Sequence, residues 1–200
     1  MSKSIVAVLL AALALTACDK PNYPEPLHDW AVLVSWDEAG GQFLIKGRPS
    51  EVVQAWDFTR NPADVDLANA TSRFVAGQGL LVSGVAPDPS VRIPLNLRGS
   101  DASLVVVRLT RVKATGDWDG ALYYATARHG ESPKFMNFPV HADTPPPIGA
   151  PVVLIYDMDE LSVGGDDWMK STIERIRLDL DIEAGGEVII HQVALVREPM

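Results

Sequence analysis

Residues 171–196 read STIERIRLDLDIEAGGEVIIHQVALV, two strand-like runs around a Gly185-Gly186 turn. In the first run Ile176, Leu178, Leu180 and Ile182 alternate with Arg175, Arg177, Asp179 and Asp181. A period of two belongs to a strand with one face in a core and the other in water. A helix would scatter those four apolar residues around its circumference. The second run, Glu187 to Val196, is rich in β-branched residues and reads as the returning strand. The predicted core from this segment is Ile176, Leu178, Leu180 and Ile190.

The same pattern repeats along the rest of the chain. Candidate strands are Ala31 to Trp36, Gln42 to Lys46, Gly79 to Val85, Arg92 to Leu97, Ser103 to Val112, Ala121 to Arg128 and Val152 to Asp157, besides Ile173 to Asp181 and Glu187 to Val196. Gly- and Pro-rich turns separate them, among them Gly40-Gly41, Pro87-Asp88-Pro89, Gly116-Asp117 and Pro145-Pro146-Pro147. The best helical windows, near Pro49 to Trp56 and Ala63 to Ala70, are one or two turns long. Many short strands with polar turns predict an all-β chain folded as an antiparallel β-sandwich.

The order of features from Arg92 to Val196 adds a family likeness. Trp168 is followed by Ile173, Ile176, Arg177, Leu178 and Asp179, then by Gly185-Gly186, then by Val188, Ile190 and Val193. This half of the chain resembles the galactose-binding-like jelly-roll domains, the sandwich fold of many carbohydrate-binding modules. The resemblance implies a jelly roll and non-catalytic glycan binding. His191 and Gln192 stand where such modules frequently carry Asp and Trp, so no sugar contact is carried over to the last strand.

The residues make their own case for sugar. A sugar presents an apolar CH face and a rim of hydroxyls, which suits an aromatic platform beside Arg, Asp, Asn or Gln. In Ala121 to Arg128, the side chains of Leu122, Tyr124, Thr126 and Arg128 share one side of the expected strand. Tyr124 and Arg128 would then project together roughly 13 Å apart. We take these two as the expected ligand-binding pair, helped by Trp118 or Trp168 from acid-flanked loops and by Arg175 and Arg177. Arginine's planar donors suit vicinal hydroxyls or a uronic carboxylate. The competing reading makes Trp118 and Trp168 plugs at the ends of the sandwich, and Trp30, Trp36 and Trp56 core residues of apolar strands. The arginines would then be outer-sheet residues paired with carboxylates.

Other chemistries find little support. There is no Gly-x-Ser-x-Gly elbow and no phosphate loop after a strand. His28, His129, His141 and His191 have no ligand-like spacing, so no metal is assigned. The acid clusters Asp157-Met158-Asp159-Glu160 and Asp166-Asp167 offer hard oxygens for a structural calcium ion, but they lack a calcium-loop pattern and read as solvated loops. No catalytic group can be named, which leaves an enzyme acting on polysaccharide as a minor alternative. A scaffold lipoprotein that docks an envelope protein is the main rival to glycan binding.

The address is written at the N-terminus. A short basic start with Lys3 and an apolar run from Ile5 to Leu15 have the form of a secretory signal. Leu15-Thr16-Ala17-Cys18 resembles a bacterial lipobox, which implies cleavage after residue 17 and acylation of Cys18, the one cysteine in the chain. The expected organisation is a signal peptide over 1–17, a lipidated Cys18 with the Pro-rich tether DKPNYPEP over 18–26, and a sandwich domain over 27–200. This places the protein on the periplasmic side of the cell envelope, held to the bilayer by lipid. Asp19 resembles the residue that retains lipoproteins in the inner membrane. The mature chain of 183 residues carries 26 Asp and Glu against 16 Lys and Arg, a charge of −10. That balance argues against nucleic acid as a partner. With one cysteine there is no intrachain disulfide, so the core alone must hold the fold.

Overall fold

The computed structural model describes residues 34–140 and 144–197. Fourteen strands are found among them. They are β1 (Val34–Asp37), β2 (Gln42–Ile45), β3 (Arg48–Pro49), β4 (Glu51–Asp57), β5 (Asp66–Ala68), β6 (Ala70–Val75), β7 (Gly79–Gly84), β8 (Ser90–Arg98), β9 (Leu104–Lys113), β10 (Leu122–Thr126), β11 (Met136–Asn137), β12 (Pro151–Asp157), β13 (Thr172–Asp179) and β14 (Glu187–Arg197). One short α-helix, α1 (Asp167–Lys170), precedes β13.

The strands form two principal antiparallel sheets and a small third one. The first runs β12-β9-β14-β7-β6, with β4 also paired to β14. The second runs β11-β10-β13-β8-β5, and the third is β1-β2-β3. The two large sheets face each other across one core. Val105, Val107, Leu109, Val188, Ile190, Val193 and Leu195 come from the first, and Val91, Ile93, Leu122, Ile176 and Leu178 from the second. The chain is thus an all-β antiparallel sandwich, and Ile176, Leu178, Leu180 and Ile190 are all in its core.

Two expectations are corrected. The helical windows are strands: residues 51–57 form β4, because Val52 and Val53 favour extended backbone and the 192–197 half of β14 offers an open edge. The 63–70 window holds β5 and the start of β6. Ile182 does not continue the buried stripe, since β13 ends at Asp179 and the phase is lost. Ile182 is 49% exposed, and Asp181 turns inward to an ion pair with Arg111 at 2.6 Å.

The small sheet makes a second core on the outer side of the first sheet. Val34, Phe43 and Ile45 cover Leu104, Val106, Ile155, Ala194 and Val196. Along β9 the outward residues then change from apolar Leu104 and Val106 to polar Arg108 and Thr110. The cover ends where the polarity changes.

Candidate functional site

At that boundary the first sheet opens into a cleft of about 380 Å³. Its origin is a change of partner along β14. Residues 187–190 pair with β7 and residues 192–197 pair with β4, and the register against β9 slips between Ile190 and Gln192. Such a bulge re-aims side chains and parts the neighbouring strands. His191 and Gln192 sit at the slip, and Gln192 lies beside Arg108 across the ladder.

The walls come from separate elements. Trp36 and Glu38 arrive from the β1–β2 hairpin, Asp57 and Arg60 from the end of β4, and Arg108 from β9. One hydrogen-bonded chain links them. Arg108 donates to Glu38 and, at 3.2 Å, to the Gln192 side-chain oxygen. Gln192 donates in turn to Asp57 at 3.0 Å, and the Thr59 hydroxyl donates to the same carboxylate at 2.6 Å. Burial pushes the Asp57 carboxyl up, but these donors and Arg60 outweigh it and hold the group below its usual range.

Trp36 is fixed from two sides. Its ring meets Phe43 edge-on at 4.9 Å, and the Arg108 guanidinium lies 5.1 Å from the ring centre. His191 is fixed as well. The Gln78 carbonyl can only accept, so Nδ1 carries the proton, and Nε2 accepts from the Thr110 hydroxyl at 2.8 Å. Burial holds His191 below the usual imidazole range, so it is neutral at physiological pH. Arg60 and Arg108 balance Glu38 and Asp57, which leaves the lining without net charge. An aromatic ring beside tied but many-valent donors and acceptors suits an uncharged ligand rich in hydroxyls.

The expected site residues lie elsewhere. Tyr124 points into the sandwich core and is fully buried, its hydroxyl donating to Asp167 at 3.1 Å. Burial and that carboxylate push its pKa well up. Trp168, also fully buried, meets Tyr124 edge-on at 5.3 Å and donates to the carbonyls of Gly99 and Ala102 at 3.1 and 3.0 Å. The two rings are brought together, but neither presents a face to solvent. Trp118 is half-buried beside Arg111, 5.4 Å from its guanidinium, next to Asp181 beyond the far end of β13. Arg128 does not share a strand face with Tyr124, because β10 stops at Thr126 and a turn to His129 follows.

Tyr123 is the outward tyrosine, lying 5.0 Å from Arg177. Arg177 donates to Asp179 at 2.5 and 2.8 Å and to Asp88 at 2.9 and 3.0 Å. Burial pushes Asp179 up to about 7 even against the pull of Arg177. Arg175 and Arg92 both donate to Glu131, at 2.6 and 2.9 Å. Arg128 and Arg175 border a separate cavity of about 350 Å³ at the edge of this sheet. Of the two acid clusters, Asp157 closes its own turn by accepting the N–H groups of Asp159 and Glu160, and Asp166 pairs with Lys170. Among the described residues no group of three or more such side chains is placed to hold a metal ion. Cys18 lies outside the described residues, and no described helix is long and apolar enough to cross a membrane.

Trp36, Arg108, His191 and Gln192 were missed as a group. Alternation along β9 is the signal that could have found Arg108 and Thr110, since both share the outward phase of Leu104 and Val106. Nothing local in the sequence announces that β14 changes partners at His191.

No protein-family model matches the chain, and no curated protein matches it. Among solved structures it is similar to family 29 carbohydrate-binding modules. One is a mutant complexed with cellulohexaose, at 11% identity over 71% of this chain and 89% of that one, with a TM-score of 0.47. A second mutant aligns at 10% identity over 71% and 91%, with a TM-score of 0.45. A further structure described as a family 29 module aligns at 11% identity over 72% and 89%, with a TM-score of 0.44.

Proposed function

We infer that the protein is a lipid-anchored, non-catalytic glycan-binding protein of the bacterial envelope, and that its sugar site is the cleft beside Trp36. The observation that carries this reading is the pairing of the Trp36 ring with the Glu38–Arg108–Gln192–Asp57 chain on a charge-balanced cleft. The ring can take the CH face of a pyranose. The four polar side chains keep spare lone pairs and N–H groups for its hydroxyls, and they are held in place before the ligand arrives. A volume of about 380 Å³ suits one or two sugar units. Because the lining is neutral, the preferred ligand is a neutral glycan.

The N-terminal motif supports the address. Cleavage after residue 17 would leave Cys18 acylated, residues 18–26 as a tether and residues 27–200 as the carried domain. Several acyl chains, at roughly 0.8 kcal/mol per buried methylene, make a firm anchor. Asp19 favours the periplasmic face of the inner membrane, and density-gradient fractionation checks this by co-migration with inner-membrane rather than outer-membrane markers.

The test is a glycan array probed with the full-length protein and with Trp36→Ala and Arg108→Lys variants. Wild type should bind a set of neutral oligosaccharides. Each variant should bind them at least about ten-fold more weakly, since loss of the ring or of the planar fork removes on the order of 1.4 kcal/mol. Binding by the variants equal to wild type would remove the cleft from the account. A flat array would favour a protein partner instead.

A further inference from the structure

The geometry points to a second sugar site, at the edge of the five-stranded sheet, that takes a uronic acid unit. It is independent of the neutral cleft, on the other sheet of the sandwich. The cavity of about 350 Å³ there has Ala125, Ala127, Arg128, Gly130, Glu174 and Arg175 in its lining, which Thr126 and His129 complete. Three alanine and glycine positions form an open floor, and a Cβ added at Gly130 would meet nothing within 4 Å.

The charges are unevenly satisfied. Arg177, two residues along β13, is spent on the carboxylates of Asp88 and Asp179 and also lies 3.9 Å from that of Glu131. Arg175 gives only its Nε to Glu131, and Glu131 must also serve Arg92. The terminal amino groups of Arg175 are therefore left without a partner among the described residues. The Arg128 guanidinium and the Glu174 carboxylate likewise make no hydrogen bond or ion pair with any described residue. Two guanidinium groups and one carboxylate thus face one small-floored cavity.

That set discriminates between ligands. A carboxylate on a sugar ring can take paired N–H donors from Arg128 and Arg175. The neighbouring ring hydroxyls can donate to Glu174, which only accepts. A phosphate has no hydroxyl rim to offer Glu174 and brings a second negative charge against it. A neutral sugar brings no charge to match Arg128, whose guanidinium pairs with no described carboxylate, whereas Arg175 already has Glu131. The uronate satisfies all three groups at once.

Isothermal titration of the full-length protein with galacturonate and glucuronate oligosaccharides, and with their carboxyl-reduced counterparts, tests the assignment. A uronate series should bind, its reduced counterpart should bind at least about ten-fold more weakly, and Arg128→Ala should weaken uronate binding by a similar factor. Arg128 is exposed and its side chain makes no hydrogen bond with a described residue, while its backbone N–H bond to Thr126 survives in alanine, so this variant should fold as wild type does. Trp36→Ala should leave uronate affinity unchanged while it weakens any neutral ligand, which separates this site from the cleft. No uronate binding, equal affinity for the carboxyl-reduced sugars, or indifference to Arg128→Ala would each overturn the proposal.

Discussion

Asp157 ends β12 only 5% exposed, and its carboxylate accepts the backbone N–H groups of Asp159 at 3.0 Å and Glu160 at 3.3 Å. Burial pushes its pKa from 3.8 up to about 6. A carboxyl raised in the folded state binds its proton more tightly there than in the unfolded chain. Stability is therefore lost as pH rises from about 4 to 6, and the penalty is complete above that. Asp157→Asn keeps an oxygen for both N–H groups and removes the charge. It should stabilise the protein at pH 8 by on the order of 2 kcal/mol and change little at pH 4, as read by urea denaturation at the two pH values. Equal effects at both would mean that burial of charge is not what the residue costs. At the same scale, Tyr123 and Tyr124 show where a sequence falls silent. Alternation says that the two rings face opposite ways, but it carries no phase. The phase was set by Leu122 packing beside Leu178 on the neighbouring strand and Tyr124 against Trp168, all in the core, which no local pattern displays.

Among the elements, β13 was legible and β4 was not. In β13 the alternation of Ile176, Leu178 and their charged neighbours is strong because one face meets the core and the other meets a polar outer surface. Leu178→Ala should therefore cost about 2–5 kcal/mol in thermal or chemical denaturation. Glu174→Ala on the same strand should stay within about 0.5 kcal/mol, since that side chain is exposed. Similar losses from the two would mean that β13 is buried on both faces. β4 lacks a clean alternation because its partner, the outer half of β14, comes from more than 130 residues away in the chain. A window of eight residues cannot contain that information. The same reason hid the cleft, whose Trp36, Asp57, Arg108 and Gln192 come from four distant strands. It also misdirected the expected site toward Tyr124 and Trp168, which are large enough to be platforms but are used as core.

For the whole molecule, the sandwich leaves two outer surfaces of different character. One carries the neutral cleft between the covering sheet and the β14 bulge, the other a surface of paired arginines with the Arg128–Arg175 cavity at its edge. The proposed lipid anchor belongs to the N-terminal end of the chain. Cys18→Ala should move the protein from the membrane to the soluble fraction, and mass spectrometry of wild type should find acylated Cys18 at the N-terminus. A variant that stays fully membrane-bound would contradict the lipid anchor. The central claim is that glycan recognition happens at the cleft, and amide hydrogen exchange measured with and without the tightest neutral glycan from the array tests it most directly. Protection should concentrate at residues 36–38, 57–60, 77–78, 108–110 and 191–192. Protection confined to the outer surface around Tyr123 and Arg177, or no protection at the cleft with ligand bound, would contradict it.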